Sequence, residues 1–270
     1  MHLARVLTDE QIGQALLMTG PSGSGKTTVL DEFAIEHRKK FGVNNPLLRF
    51  RLPADCTPKA LAAAFAAALG DPLAAFSTLA QLQVRIPRLA RNKSISIVAI
   101  DEGQHLFSRT KQVRNDDATD TIKFLMDEMR LPFVLIGMPQ LRNIIEASEQ
   151  MSRRTSRWLE LKGFDLADPT DFETYIAVLR EIDRALPFNR SSRLFDRNVA
   201  TAIHVATKGV FGRIMRLVTR AAVMAIDHNH PCVDERHLAA AREEIASDAE
   251  LALENPFAKL AGKLFGKAAA

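Results

Sequence analysis

Gly20-Pro-Ser-Gly-Ser-Gly25-Lys26-Thr27 lies between an apolar run, Gln14-Ala-Leu-Leu-Met-Thr19, and a stretch from Thr27 to Lys40 that contains neither glycine nor proline. The octet satisfies G-x-x-x-x-G-K-[ST] in full. It also stands where the pattern has to stand, after a buried strand and at the start of a helix. The chemistry requires these residue types. Glycines let successive backbone N–H groups turn inward around phosphate oxygens, and the first turn of the helix adds the positive end of its dipole. Lys26 is placed to reach β- and γ-phosphates, and the Thr27 hydroxyl to ligate Mg²⁺. Gly20, Pro21, Ser22, Gly23, Ser24, Gly25, Lys26, Thr27 and Thr28 are therefore the expected ATP-binding residues.

Such a loop needs an acid at the end of a neighbouring strand. Ser94-Ile-Ser-Ile-Val-Ala-Ile100 is apolar and β-branched, and it runs into Asp101-Glu102. Asp101 is expected to hold Mg²⁺ with Thr27, and Glu102 to polarise a water for attack on the γ-phosphate. Further strands are expected at Pro46–Leu52, Pro132–Gly137 and Trp158–Leu161. Helices are expected at Thr57–Leu69, with Thr57 as cap ahead of Pro58, and at Thr119–Met129. This alternation predicts an α/β fold, a parallel sheet with helices on both faces.

After about Phe164 the pattern changes. Asp171–Leu186, Phe195–Thr207, Gly212–Asp227 and Asp234–Ala249 carry helical spacing, with Pro, Gly or Asn between them, and no strand candidate remains. The expected domains are an α/β nucleotide-binding core over 1–164, a small all-helical lid over 165–250, and a basic C-terminal tail over 251–270. In the tail, Lys259, Lys263 and Lys267 recur every four residues opposite Phe257, Leu260, Leu264 and Phe265. Either a docking helix or a frayed basic end fits that spacing.

Composition removes several classes. With 270 residues, 47% hydrophobic and 25% charged, the chain is ordinary for a globular protein and too apolar for a disordered one. Cys56 and Cys232 cannot build a disulfide framework and fit a reducing cytoplasm, the expected location. The longest apolar run, Ala60–Leu69, is about half of a membrane span. No charged segment followed by an apolar one opens the sequence, so neither a membrane nor a secretory signal is expected. Lys and Arg exceed Asp and Glu by 36 to 32, a net charge of +4, which permits a polyanionic partner without requiring one.

Together the loop and the acid pair resemble those of AAA+ ATPases, and the helical second half is similar to the lid of that family. The resemblance assigns further roles. Leu131-Pro-Phe-Val-Leu-Ile-Gly137 resembles the sensor 1 strand, which family members often end with Asn, Thr or Ser. Here Met138 follows, with Gln140 as a substitute. Met151-Ser-Arg-Arg-Thr-Ser-Arg157 resembles the segment that gives an arginine finger to the neighbouring subunit's ATP, with Arg154 first, then Arg153 and Arg157. Gly209-Val-Phe-Gly-Arg213 resembles sensor 2 and directs Arg213 at the γ-phosphate, although Arg216 and Arg220 share its helix face. A finger implies a homo-oligomer with ATP between subunits.

The chain as a whole resembles the TniB/TnsC group of transposition ATPases. The likeness rests on Ile100-Asp-Glu-Gly-Gln-His-Leu106, on Val134-Leu-Ile-Gly-Met-Pro-Gln-Leu141, on the arginine-rich turn before Trp158-Leu-Glu-Leu, and on the lid stretch Gly209–Val218. Such proteins assemble on duplex DNA with ATP, mark the target and bring the transposase to it, and ATP turnover limits how long the mark lasts. The resemblance thus implies ATP and Mg²⁺ as cofactors, and duplex DNA, a transposase and a target-selection factor as partners. Related ATPases that act as loaders or remodellers of a protein partner share several of these motifs. A nucleotide-stabilised switch is a third reading, which an intact Glu102 disfavours.

Ser108-Arg109-Thr-Lys111-Gln-Val-Arg114 follows the acid strand. Arg109, Lys111 and Arg114 suit contacts to the phosphate backbone, though Asp116, Asp117 and Asp120 come next. One Trp, one Tyr and core-like Phe residues offer no stacking platform for single strands. His228, His230, Cys232 and His237 have metal-binding types in no standard spacing and are expected in a lid connection. His105 is expected to be structural at the strand exit, and Cys56 lacks a nucleophile signature.

Overall fold

The computed structural model describes residues 14–44, 46–54, 56–106, 116–247 and 253–258. The chain divides into two compact units, Met1–Leu161 and Lys162–Ala270.

The first unit is built on five parallel strands: β1 (Ala15–Thr19), β2 (Leu47–Arg51), β3 (Ile97–Asp101), β4 (Phe133–Gly137) and β5 (Thr155–Glu160), in the order β2-β3-β4-β1-β5. Every residue of β1, β3 and β4 is buried, which is why these strands read as unbroken apolar runs rather than as an alternation. Side chains still divide by period two. Ala15, Leu17, Val98, Ile100, Phe133 and Leu135 enter one core, and Leu16, Met18, Ile97, Ala99, Val134 and Ile136 enter the other.

Helices cover both faces. The smaller core is closed by Leu30 and Phe33 of α1 (Lys26–Phe41). On the larger side lie α2 (Pro58–Ala68), α3 (Leu79–Asn92), α4 (Asp116–Met129) and α5 (Gln140–Ala147), with Met151 of α6 (Glu149–Arg154). Thr57 caps α2 as its sequence predicts, accepting from the Ala60 amide at 3.1 Å.

Helices α3, α5 and α6 have no counterpart among the sequence expectations. In α3 the apolar spacing Leu82, Ile86, Ala90 is interrupted by Pro87, a residue that argues against a helix interior. The structure buries Pro87 within the helix, which a reciprocal Thr78–Gln81 capping box starts. Helices α5 and α6 are eight and six residues long, too short to show two full periods.

The second unit holds α7 (Pro169–Ala185), α8 (Arg197–Thr207), α9 (Phe211–Asp227) and α10 (Glu235–Ile245) around one core that includes Tyr175, Leu179, Ile203, Ile214, Leu217 and Leu238. Tyr175 is fully buried, and its hydroxyl donates to the Ala200 carbonyl at 2.7 Å. Asp168 caps α7 through the amides of Thr170 and Asp171. Phe257, which the tail spacing puts opposite its lysines in either a docking helix or a frayed end, is fully buried in this core, with Asn255 bonded to the Ala239 carbonyl and the Glu243 carboxylate. Lys259, Lys263, Lys267 and the rest of the tail face lie outside the described residues. No helix among the described residues is long and apolar enough to cross a membrane.

Candidate nucleotide site

In the sheet order, β4 lies between β1 and β3. The loop after β1 and the acids after β3 therefore come to the same sheet edge, separated by the end of β4. That edge is where a parallel α/β sheet presents a crevice, at the carboxyl ends of its strands.

The loop is shaped by its glycines. Gly20 donates its N–H to the Gly137 carbonyl at 3.2 Å, and a Cβ on Gly20 would fall 2.5 Å from the Leu161 carbonyl oxygen. Gly23 and Gly25 have φ of 79° and 88°, conformations that side-chain-bearing residues rarely adopt. Gly25 is the N-cap of α1 and supplies no capping side chain, and the first turn of α1 contains no acid. By contrast α2, α3, α7 and α10 all begin at a capping Thr or Asp side chain. The positive end of α1 is thus left for an external anion.

Two further features fit a phosphate guest. Ser24 Oγ is a buried side-chain oxygen with no hydrogen-bond partner among the described residues. Lys26 Nζ is folded onto its own loop, donating to the carbonyls of Gly20 at 2.7 Å and Pro21 at 2.9 Å. Burial pulls the Lys26 ammonium below its ordinary value, and the carboxylates of Asp101 and Glu102 pull the other way. Thr27 and Thr28 are exposed on the first turn, so the Thr27 hydroxyl is available to a metal ion.

On the other side of β4, Asp101 is buried and accepts from the Glu102 amide at 2.9 Å through Oδ1. Its Oδ2 is 3.5 Å from Arg49 Nη2, and the same guanidinium donates to Asp31 of α1 at 2.6 Å. Sequence reasoning assigned no role to Arg49, because nothing in its local pattern tells that β2 lies beside β3. Glu102 has φ 58°. Its carboxylate accepts from Gln104 Nε2, and His105 Nε2 is 4.0 Å away. Gln104 Oε1 in turn accepts from the Met138 amide at 3.0 Å. Gln140, by contrast, is exposed on the first turn of α5, so the amide that meets the end of β4 is that of Gln104.

These donors fit a nucleoside triphosphate with Mg²⁺. The loop amides, Ser24 and Lys26 would face the phosphates, Lys26 after leaving its own loop carbonyls, and Thr27 and Asp101 would supply the hard oxygens that Mg²⁺ prefers. When bound, the ion neutralises charge on the phosphate oxygens.

The other expected residues are placed as follows. Arg154 pairs bidentately with Asp127 of α4, and Arg153 with Glu149, while Arg157 is exposed on β5. In the second unit Arg213 and Arg216 line a cavity of about 380 Å³ with Arg242, Leu217 and Ile245, and Arg220 pairs with Glu244. Arg109, Lys111 and Arg114 lie outside the described residues. Burial pushes the Cys56 thiol up to about 11, which leaves it unreactive at neutral pH.

His230, Asp234 and His237 bring ligand-type atoms within 4.8 Å of one another. Asp234 is already committed, however, with Oδ1 on the amides of Arg236 and His237 and Oδ2 on the Arg236 guanidinium. The group is accounted for as the cap of α10.

The family model of bacterial TniB proteins matches residues 2–162. No curated protein matches the chain. Among solved structures, the Aeropyrum pernix ORC2 protein in its ADPNP-ADP complexes is similar with a TM-score of 0.66 at 14% identity, over 91% of this chain and 66% of that one. The Aeropyrum pernix ORC1 protein in complex with DNA gives 0.62 at 19% identity, over 86% and 59%. Cdc6p from Pyrobaculum aerophilum gives 0.61 at 12%, over 88% and 63%. At these identities the likeness is one of fold, and the chain spans 66% or less of the length of each.

Proposed function

The chain belongs to the TniB family, and from that premise we propose that it is an ATP-hydrolysing regulator of DNA transposition. It assembles on duplex DNA with ATP bound between subunits, recruits the transposase with a target-selection factor, and disassembles on hydrolysis. Its fold is that of AAA+ ATPases. The observation that carries the ATPase reading is the convergence of the Lys26 loop and the Asp101–Glu102 pair on the two sides of β4. Lys26 would turn from its own loop carbonyls to the β- and γ-phosphates, Thr27 and Asp101 would hold Mg²⁺, and Glu102 would take the proton of the attacking water.

Arg154, Arg153 and Arg157 are the finger candidates. Arg154 must leave Asp127 to serve, whereas Arg157 is exposed and Arg153 pairs with the exposed Glu149 one helical turn away. Arg213 is the lid residue directed at the γ-phosphate. Arg109, Lys111 and Arg114 contact the DNA backbone without reading bases. A second reading, a loader or remodeller of a protein partner, draws support from the ORC and Cdc6 likeness over both halves of the chain.

The test is nucleotide-dependent binding to long duplex DNA, followed by anisotropy and electron microscopy, for the wild-type chain, Lys26→Ala and Glu102→Gln. DNA-bound assemblies that require ATP are expected from the wild-type chain. Lys26→Ala is expected to form none. Glu102→Gln is expected to form assemblies that persist, with turnover lower by about 100-fold or more. Assembly and turnover indifferent to DNA would move the function to a protein partner.

A further inference from the structure

The turn after the acid pair, Gly103–Leu106, is docked closely on the end of β4. A Cβ on Gly103 would lie 2.7 Å from Leu141 Cδ2 and 3.1 Å from the Ile136 carbonyl oxygen, and one on Gly137 would lie 2.7 Å from Gln104 Oε1. A side chain at either place would have to displace the Leu141 or Gln104 side chain and press on backbone at 3.1–3.2 Å. The Gln104 side chain then bonds in two directions, accepting from the Met138 amide at 3.0 Å and donating to Glu102 Oε2. A backbone amide can only donate, so Met138 determines which end of the Gln104 side chain is oxygen, and the NH₂ end is left for the carboxylate. The carboxylate that it holds stands on a left-handed backbone, φ 58°, a conformation that persists where the surroundings over-determine it. Among the described residues, His105 Nε2, 4.0 Å from Oε2, and the Lys26 ammonium also act on it.

We propose that Gln104 is a positioning residue for ATP hydrolysis. It ties one oxygen of Glu102 to the backbone at the end of β4 and leaves the other oxygen to take a proton from water. It also supplies, from the turn after β3, the polar side chain that Met138 does not offer at this place. The orientation of the base then depends on β4, the strand that separates the two halves of the site. This inference rests on Glu102 being the general base.

Steady-state hydrolysis and the affinity of a fluorescent ATP analogue are measured for the wild-type chain, Glu102→Gln, Gln104→Leu and Gln104→Glu, with thermal denaturation as a check on folding. Gln104→Leu is expected to lower kcat by about tenfold or more while KM and analogue affinity stay within about twofold. Gln104→Glu keeps the size, the packing and the acceptor for Met138, but it can donate to Glu102 only while the two carboxyls share a proton. Its kcat is therefore expected to fall as in Gln104→Leu, with analogue affinity again within about twofold. Wild-type kcat, or raised kcat, in Gln104→Leu overturns the proposal, as does a loss of analogue affinity in step with kcat. Wild-type kcat in Gln104→Glu overturns it as well. A wild-type chain without turnover, or a fully active Glu102→Gln, overturns the assignment of the base and this inference with it, and is told apart by those two controls.

Discussion

Arg49 shows how much a single side chain in the site depends on its neighbours. It stands on β2, is paired with Ala99 of β3 in register, and bridges Asp31 of α1 to Asp101. With Asp101 as the proposed Mg²⁺ ligand, a guanidinium 3.5 Å from its Oδ2 would compete with the cation for that oxygen. At a half-exposed position one such charge is worth about 1 kcal/mol, or roughly fivefold in an equilibrium. Arg49→Gln is therefore expected to lower the Mg²⁺ concentration that half-saturates hydrolysis by about fivefold, read from a Mg²⁺ titration at fixed ATP. An unchanged or higher midpoint would show that Arg49 does not oppose the metal. The sequence marked Lys26, Thr27, Asp101 and Glu102 because motif chemistry is local. Arg49 meets Asp101 across two strands, and Gln104, two residues from Glu102, meets the Met138 amide at the end of β4, so no local pattern announces either contact.

Single elements show the same division. The helix from Lys26 to Phe41 was legible because it lacks breakers and ends in Arg38, Lys39 and Lys40, which suit a helix C-terminus. Helix α3 was hidden by Pro87, which tertiary burial overrides. In the second unit the crossing of residues 163–164 over the turn at Lys208–Gly209 is set by close approach. A Cβ on Gly163 would lie 2.2 Å from the Lys208 carbonyl oxygen, and Gly209 has φ 67°. The Phe164 amide donates to the Gly209 carbonyl at 3.1 Å, and the His204 ring is 2.7 Å from the Phe164 carbonyl. Gly163→Ala forces backbone apart and is expected to destabilise the second unit by about 1–3 kcal/mol in urea unfolding. The loss should appear in the near-UV signal of Tyr175, the one tyrosine, which lies in that unit.

At the scale of the whole molecule, buried histidines couple stability to acidity. His37 of α1 is held below its ordinary 6.5 by burial, with Ser96 Oγ at 3.3 Å and the Phe33 and Phe41 rings beside it. His237 is lowered first by burial, with Asp234 opposing and His230, His228 and Arg236 adding to the shift. The neutral form is the one that the fold accepts, so below pH about 6.5 the unfolded chain binds more protons. Stability is therefore present at neutral pH and is lost as the pH falls through 6.5. Urea midpoints are expected to drop from pH 7.5 to 5.5, with the slope reduced by His37→Leu together with His237→Gln. The glutamine keeps an acceptor for the Asp234 amide in the capping box and removes the titration. An equal slope in the double variant would place the acid sensitivity elsewhere.

By itself the sequence determined the α/β core followed by helices, the phosphate loop and the acid pair. Each of these is a short-range matter of apolar run, breaker and motif spacing. Only the tertiary structure decided that β4 lies between β1 and β3, that Phe257 completes the second core, that Arg49 reaches Asp101, and that Gln104 meets the Met138 amide. Those outcomes follow from which strands and helices lie side by side, a choice made by burial of whole faces rather than by neighbours in the chain.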